Sequence, residues 1–283
     1  MRDAIYGFIV GDALGVPVEF SDRDKLRKNP VTDMTGYGTW NQPKGTWSDD
    51  SGMVLATCES IKRKGKIDLR DMMTNFGKWY YEGAFMQNGE CFDIGNTTHN
   101  ALLNYFQGGL SVYECGCRNF KDNGNGSLMR ILPLAFINCS EEEIMRVSAL
   151  THGHIISKLA CVIYVRLAQF LIKGDELWRA LDKSFVDGNA TYFEKLANYE
   201  ELCENDILST GFVVDALEAA VWCVATTNNY RDCVLKAVNL GGDTDTIAAL
   251  AGGLAGIIYG YNSIPREWID AIYNKEIIED CLF

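Results

Sequence analysis

Apolar residues recur at intervals of three and four along most of the chain, which is the spacing of one buried helix face. Alternation of apolar and polar positions, which marks a half-buried strand, does not persist for long anywhere in the sequence. The pattern therefore predicts an all-α fold. The segments that carry it are 2–15, 50–64, 68–82, 96–106, 140–150, 155–173, 209–224, 231–239 and 247–259.

Three stretches interrupt this helical pattern. Residues 27–45 contain prolines and glycines with little periodicity, so we expect a long loop, and such loops inside compact domains often act as lids. Residues 119–130 are rich in Asn and Gly. Backbone N–H groups in such a turn before a helix can bind phosphate, although a plain turn explains the composition as well. Residues 183–206 are polar, with a break at Gly188-Asn189, and are interpreted as a variable insertion.

The apolar segment nearest the C-terminus, 247–259, is rich in Ala and Gly, with small residues at every third or fourth position. This spacing predicts a buried helix that other backbones approach closely. Asp243, Asp245 and Thr246 stand at its start, where free N–H groups and the helix dipole partly offset acidic side chains. An ordinary N-terminal cap explains these three residues as readily as a binding site does.

A matching stretch near the other end of the chain favours the binding site. Ser48, Asp49 and Asp50 also stand directly before an apolar helical run. Adjacent Asp residues repel each other, and burying such a pair is costly unless a cation or hydrogen bonds compensate. Together the two helix starts supply hard oxygen ligands, which suit Mg²⁺ or Mn²⁺ rather than Zn²⁺.

Length and charge limit the possible classes of protein. The chain has 283 residues and a net charge of −12, with a pI of about 4.8. This charge argues against direct nucleic-acid or anionic-membrane binding, because both depend on Lys and Arg. The longest basic run, 62–64, is explained by a solvated helix end. Because residues near 48 and near 245 must meet, we expect one domain over residues 1–283.

Cysteine usage bears on the cellular compartment. The ten cysteines form no CxxC pair, and Cys115-Gly116-Cys117 is too tight for a usual zinc knuckle. Most lie in helical patterns, as buried reduced thiols do. No secretory signal is evident, and no apolar run is long and uninterrupted enough to argue for a membrane span. We therefore expect a cytoplasmic protein with no membrane partner.

Six short motifs follow one another along the chain: 7–19 (GFIVGDALGVPVE), 48–50 (SDD), 92–98 (FDIGNTT), 124–130 (GNGSLMR), 151–154 (THGH) and 241–246 (GGDTDT). Each motif is weak by itself, but together they resemble the ADP-ribosylglycohydrolase family, the relatives of dinitrogenase reductase-activating glycohydrolase. They occur in the family's order and cover nearly the whole chain, so the resemblance is specific.

The resemblance implies a compact orthogonal multi-helix bundle that binds two Mg²⁺ or Mn²⁺ ions. It also implies a helix over 128–134, directly after the glycine-rich turn. It implies hydrolysis of the bond between C1″ of ADP-ribose and an acceptor atom, through a transition state like an oxocarbenium ion. The metal ligands that it implies are Ser48, Asp49, Asp50, Asp243, Asp245 and Thr246.

The resemblance also assigns candidate catalytic and substrate-binding residues. Glu19, Asp93 and Asp50 are the candidates for acid or base, and the sequence does not decide among them. Position alone is equally compatible with a surface acid at Glu19 and a turn residue at Asp93. His152 is expected to be structural. The implied substrate-binding residues are Gly124, Asn125, Gly126, Ser127, His154 and Phe212, the last of which is equally well explained as a core aromatic.

Three functions are compatible with these motifs. A catalytically silent ADP-ribose-binding or structural homologue is possible, but the retention of every candidate ligand argues against it. A metal-dependent phosphohydrolase would cut the pyrophosphate and release AMP. The favoured activity is a glycohydrolase, expected to be a monomer, that acts on an ADP-ribosylated protein or a small ADP-ribose conjugate. The acceptor stays open among arginine, serine, a nucleobase, O-acetyl-ADP-ribose and a ribosyl chain.

Overall fold

The computed structural model describes residues 1–185 and 190–283, and helices dominate both ranges. Within these ranges no β-strand forms, and extended backbone pairs only in isolated bridges. The all-α prediction is therefore confirmed. The α-helices are α1 (Arg2–Gly15), α2 (Arg23–Lys28), α3 (Asp49–Lys64), α4 (Leu69–Glu82), α5 (Asn96–Phe106), α6 (Glu141–Ser148), α7 (Ile155–Ile172), α8 (Leu177–Ser184), α9 (Glu194–Ala197), α10 (Val213–Ala225), α11 (Tyr230–Asn239), α12 (Thr244–Tyr259), α13 (Arg266–Ala271) and α14 (Glu276–Cys281).

The core is built around α1 and α12, which pack on each other more extensively than any other pair of described helices. A Cβ on Gly11 would lie 2.1 Å from the carbonyl oxygen of Ala248, and one on Gly252 would lie 2.3 Å from that of Gly7. Main-chain atoms cannot move aside as a flexible side chain can, so these glycines set the distance between the two helices. The contact confirms the predicted buried, glycine-rich helix.

Four other helices, α3, α7, α10 and α11, also pack against α12. Two buried tyrosines link these surrounding helices to α1 and α12. Tyr164 Oη donates to the Leu250 carbonyl at 2.9 Å, and Tyr230 Oη donates to the Gly7 carbonyl at 2.7 Å. Because α1 contacts both α12 and α3, residues from the two ends of the chain come together in one core.

The segment after the glycine turn differs from the helix that the resemblance implies. Tight 3₁₀ turns cover Asn125–Ser127 and Leu132–Phe136 in place of an α-helix. Pro133 lacks the backbone N–H that would continue an α-helical hydrogen-bond ladder. The turn therefore leads into a compact corner of the core.

The two other interruptions of the helical pattern contain short helical pieces. Within the predicted loop 27–45, residues Gly38–Trp40 form a 3₁₀ turn. Segment 183–206 retains α9 and further 3₁₀ turns, whereas the predicted break at Gly188-Asn189 lies outside the described residues.

One helix, α7, is long and apolar enough to cross a membrane by length and composition, although sequence reasoning did not single it out. Of its residues, 67% are buried inside the fold, against α6, α8, α10 and α12. Such burial is typical of the core helix of a globular domain.

Candidate functional site

The start of α3 presents a hydroxyl and two carboxylates. Ser48 is the N-cap, and its Oγ accepts the backbone N–H of Asp50 at 3.3 Å and also contacts Asp50 Oδ2 at 3.0 Å. Asp50 is buried, whereas the Asp49 side chain lines a cavity. Capping therefore explains Ser48 but neither of the two acids.

The start of α12 meets α3 directly. Asp243 is the N-cap of α12, yet its side chain makes no cap hydrogen bond. Its Oδ2 accepts instead from Asn125 Nδ2 at 2.7 Å, and Thr246 Oγ1 donates to Asp50 Oδ2 at 3.2 Å. The two helix starts thus form one site, as their matching composition predicts.

Carboxylates from four segments converge there in two groups. Oxygens of Asp12, Asp50 and Asp245 lie within 4.8 Å of one another, and so do oxygens of Glu19, Asp93 and Asp245. Asp245 belongs to both groups, so it stands at the centre of the site.

The site contains buried oxygens that need a partner. Asp50 Oδ1 and Asp245 Oδ2 are inaccessible to solvent and have no hydrogen-bond partner among the described residues. Leaving such oxygens unpaired is costly. These donors fit a divalent cation such as Mg²⁺ or Mn²⁺, because carboxylate and hydroxyl oxygens are the ligands that such cations take.

Asp12 completes the site, although sequence reasoning did not assign it a role. It is fully buried in α1, where it accepts from the backbone N–H groups of Ser48 and Ser51 and from Ser51 Oγ. It therefore holds the first turn of α3 in place. The available signal was a single acid within the otherwise apolar and glycine-rich run 4–15, because a buried carboxylate needs compensation.

Burial and mutual repulsion change the pKa of these acids. Burial, and then the negative charge of Asp93, raise the pKa of Glu19 to about 9. Burial raises the pKa of Asp12 and of Asp93 to about 6. The pKa values of Asp50 and Asp245 lie well above the ordinary range because of burial and then neighbouring carboxylates. The protein therefore holds negative charge that protons or metal cations must offset.

Four of the acidic residues, Glu19, Asp49, Asp93 and Asp243, line a cavity of about 340 Å³. Lys121, His152 and the turn 124–126 line the same cavity. A larger hollow of about 530 Å³ beside α8 contains neither helix start, so volume alone does not locate the site.

The glycine turn is hydrogen-bonded to the segment before α10. Asn125 N–H donates to the Gly211 carbonyl at 3.0 Å, and Val213 N–H donates to the Asn123 carbonyl at 3.0 Å. A Cβ on Gly126 would lie 2.8 Å from Thr98 Oγ1 and 2.9 Å from His152 Cε1. There is therefore no room for a side chain at Gly126, so its main chain lies close to Thr98 and His152 in the cavity wall.

The two histidines of the motif 151–154 lie in different surroundings. His152 is among the residues that line the cavity. Burial, and then the charge of Arg130, lower the pKa of His152 to about 3, so its imidazole is neutral. His154 instead pairs with Asn123 Nδ2 at 2.9 Å and accepts the backbone N–H of Ile156.

Other assigned residues also lie away from the lining. Ser127 is buried and its Oγ accepts from Ser148 Oγ at 3.0 Å. Phe212 is the N-cap of α10 and packs against Phe120, with ring centroids 6.3 Å apart, outside the set of lining residues. The substrate contacts of Ser127, His154 and Phe212 stay predictions.

Known proteins resemble the chain over its whole length. The family model for ADP-ribosylglycohydrolase matches residues 1–282. A Serratia proteamaculans protein named ADP-ribosylarginine hydrolase Tri1 is 34% identical over 99% of this chain and 76% of its own length. The ADP-ribosyl-[dinitrogen reductase] glycohydrolase of Rhodospirillum rubrum is 30% identical over 96% of this chain and 90% of its own.

A solved structure agrees with the fold. The chain of an ADP-ribosylglycohydrolase-related protein complex superimposes with a TM-score of 0.78 and 27% identity. The match covers 98% of this chain and 94% of that one.

Proposed function

Because this chain belongs to the ADP-ribosylglycohydrolase family, we propose that it hydrolyses the bond between C1″ of ADP-ribose and an arginine side chain. The observation that carries the proposal is one cavity lined by both the glycine turn 124–126 and the acids Glu19 and Asp93. Directly beside these acids lies Asp245, which is buried with an unpaired oxygen. Similarity to a protein named ADP-ribosylarginine hydrolase supports arginine as the acceptor.

The glycine turn and the carboxylates of the cavity would bind different parts of ADP-ribose. The pyrophosphate would lie against the backbone of the turn 124–126, with Lys121 and the neutral His152 as side-chain donors. The distal ribose would then lie at the carboxylates, which places C1″ beside Glu19 and Asp93.

We propose that the site binds two divalent cations, Mg²⁺ or Mn²⁺, through the ligands assigned by resemblance. Asp12 is not one of these ligands, and its role is to hold the helix start in place. Bound cations would orient the ribose hydroxyls and offset the charge of the surrounding carboxylates. The chain's own contribution is the fixed spacing of α3 and α12, which Asp12 and Thr246 maintain through their hydrogen bonds. The proposed ligands are Ser48, Asp49, Asp50, Asp243, Asp245 and Thr246.

Glu19 and Asp93 are the proposed proton carriers. Trp40 Nε1 donates to Glu19 Oε2 and orients that carboxyl. With the higher pKa, Glu19 would donate a proton to the departing acceptor, while Asp93 would accept one from water. Asp50, the third candidate, is buried and is not among the residues that line the cavity, which favours a supporting role.

The test is product analysis by mass spectrometry, with an ADP-ribosyl-arginine peptide, Mg²⁺ or Mn²⁺, and a parallel sample in EDTA. We expect free ADP-ribose and unmodified arginine, lost in EDTA. AMP as the product would identify a pyrophosphate hydrolase instead. Binding of ADP-ribose without turnover of the peptide would contradict the proposed activity and favour a binding role.

The stability of the metal-free protein should fall as the pH rises. Carboxyls titrate near pH 4 when unfolded, whereas folding raises the pKa of Asp93 to about 6 and of Glu19 to about 9. An acid whose pKa is higher in the folded state lowers stability as the pH rises from the unfolded to the folded value. The Tm of EDTA-treated protein should therefore fall between about pH 4 and pH 9.

Mn²⁺ should restore the Tm at high pH, because the bound cation offsets the charge of the ionised carboxylates as protons do at low pH. At a metal concentration of about 100 times Kd we expect a Tm increase of roughly 5–10 °C near pH 8, and a smaller one near pH 5. Differential scanning fluorimetry across this range measures both. A Tm that Mn²⁺ leaves unchanged at every pH would contradict the metal assignment.

A further inference from the structure

Phe20 has an unusual backbone and an unusual exposure for its type. Its φ is +60°, a left-handed conformation that is uncommon outside Gly, Asn and Asp. The side chain is 67% exposed and lines the cavity beside Glu19. A large apolar residue gains little stability there, so a strained and exposed phenylalanine at the mouth of a reactive cavity indicates a role in binding.

The fold holds Phe20 in this position. Its backbone N–H donates to the Gly242 carbonyl at 2.7 Å, in the turn that leads to α12. On the other side, Thr39 Oγ1 donates to the Glu19 carbonyl at 2.7 Å. The ring is therefore displayed by a fixed backbone between the metal ligands and the loop 27–45.

Two further aromatic rings continue from Phe20. The Phe20 and Trp40 ring centroids are 6.4 Å apart, and those of Trp40 and Phe92 are 5.9 Å apart. Trp40 also donates to Glu19, and Phe92 directly precedes Asp93. These three residues, which we term the aromatic row, thus border both proposed proton carriers.

Acidic residues outnumber basic ones around the cavity. Among the described lining residues, Lys121 carries the positive charge, whereas Glu19, Asp49, Asp93 and Asp243 are acidic. Asp12, Asp50 and Asp245 belong to the adjoining carboxylate groups. Even with Glu19 protonated, the other six carboxyls exceed the four positive charges of two divalent cations.

We propose that the aromatic row is the acceptor subsite and that it selects a guanidinium group, which stacks on Phe20 within reach of Glu19 and Asp93. A planar cation gains from an aromatic face and from nearby carboxylates at the same time. A neutral hydroxyl acceptor such as serine gains from neither. The inference rests on the proposed function, because the ADP-ribose half must occupy the cavity between the glycine turn and the carboxylates.

Phe20 variants test the subsite through a cationic probe. In protein saturated with ADP-ribose, agmatine presents a guanidinium without the bond to be cleaved, and saturation-transfer NMR measures its affinity. We expect Phe20→Gly, which suits the positive φ, and Phe20→Leu to weaken agmatine binding by about 5- to 30-fold, and Phe20→Tyr to retain it. The ratio of kcat/KM for ADP-ribosyl-arginine over ADP-ribosyl-serine peptides should fall by a similar factor.

Phe120→Ala is the matched control, because Phe120 is equally exposed, at 68%, but lies beside Phe212 rather than in the aromatic row. It should leave agmatine affinity and the arginine-to-serine ratio unchanged. Unchanged agmatine affinity in Phe20→Gly and Phe20→Leu would overturn the subsite. A wild-type protein that cleaves neither peptide would instead contradict the proposed function, and agmatine binding would still decide the subsite by itself.

Discussion

Asp245→Asn is expected to lower kcat/KM by at least about 1000-fold, the largest catalytic effect of any single substitution in this site. Asp245 is shared by both carboxylate groups, and its Oδ2 is buried without a partner. An amide is a weaker metal ligand than a carboxylate, so both cation positions should weaken together. The backbone N–H of Thr246, which Asp245 Oδ1 accepts at 2.9 Å, keeps its partner in the variant.

The same substitution should stabilise the metal-free protein. Burial, and then the charges of Glu19 and Asp50, raise the pKa of Asp245, so the ionised carboxylate lowers folding stability as the pH rises. We expect Tm in EDTA to increase by about 2–6 °C near pH 8, and the response to Mn²⁺ to be largely lost.

Asp270→Asn is the matched control, since Asp270 is 53% exposed and pairs with Arg266 on the surface. It should leave turnover and the response to Mn²⁺ close to wild type. If Asp245→Asn retained more than a tenth of wild-type turnover, or lost its fold in EDTA, Asp245 would be a structural residue rather than a metal ligand.

Gly11→Ala is expected to destabilise the protein by about 3 kcal/mol or more, because the added methyl group overlaps the main chain of α12. The new Cβ would lie 2.1 Å from the Ala248 carbonyl oxygen, where main-chain atoms of α12 leave no space. Moving α12 outward would also move Asp245 away from Asp12. Urea unfolding followed by circular dichroism measures the loss, and metal-induced stabilisation should weaken in parallel.

Gly95→Ala provides the comparison for this prediction. A Cβ there meets nothing within 4 Å, and its φ of −66° suits alanine. Because Gly95 is the N-cap of α5, where alanine is less favourable than glycine, this variant should lose about 1 kcal/mol or less. An equally small effect at Gly11 would show that α1 and α12 can separate without cost, contrary to the close contact of their backbones.

Much of the fold was predictable because helix formation is recorded in local spacing. The segments 2–15, 50–64 and 231–239 became α1, α3 and α11 with boundaries within about one residue. Segment 128–134 differs from the helix that the resemblance implies for a local reason, because Pro133 does not permit the α-helical hydrogen-bond ladder. Paired acids at two helix starts predicted that distant parts of the chain meet, and the bond between Thr246 and Asp50 confirms it.

What the sequence by itself determined is therefore the helical class, the family and the kinds of atom available to the site. Only the tertiary structure decided which of those atoms meet: Asp12 joins the carboxylates, His152 rather than His154 lines the cavity, and Phe20 stands exposed beside Glu19. The reason is physical. Periodicity depends on neighbours a few residues apart, whereas burial, pKa and ligand geometry depend on how closely α1 and α12 pack.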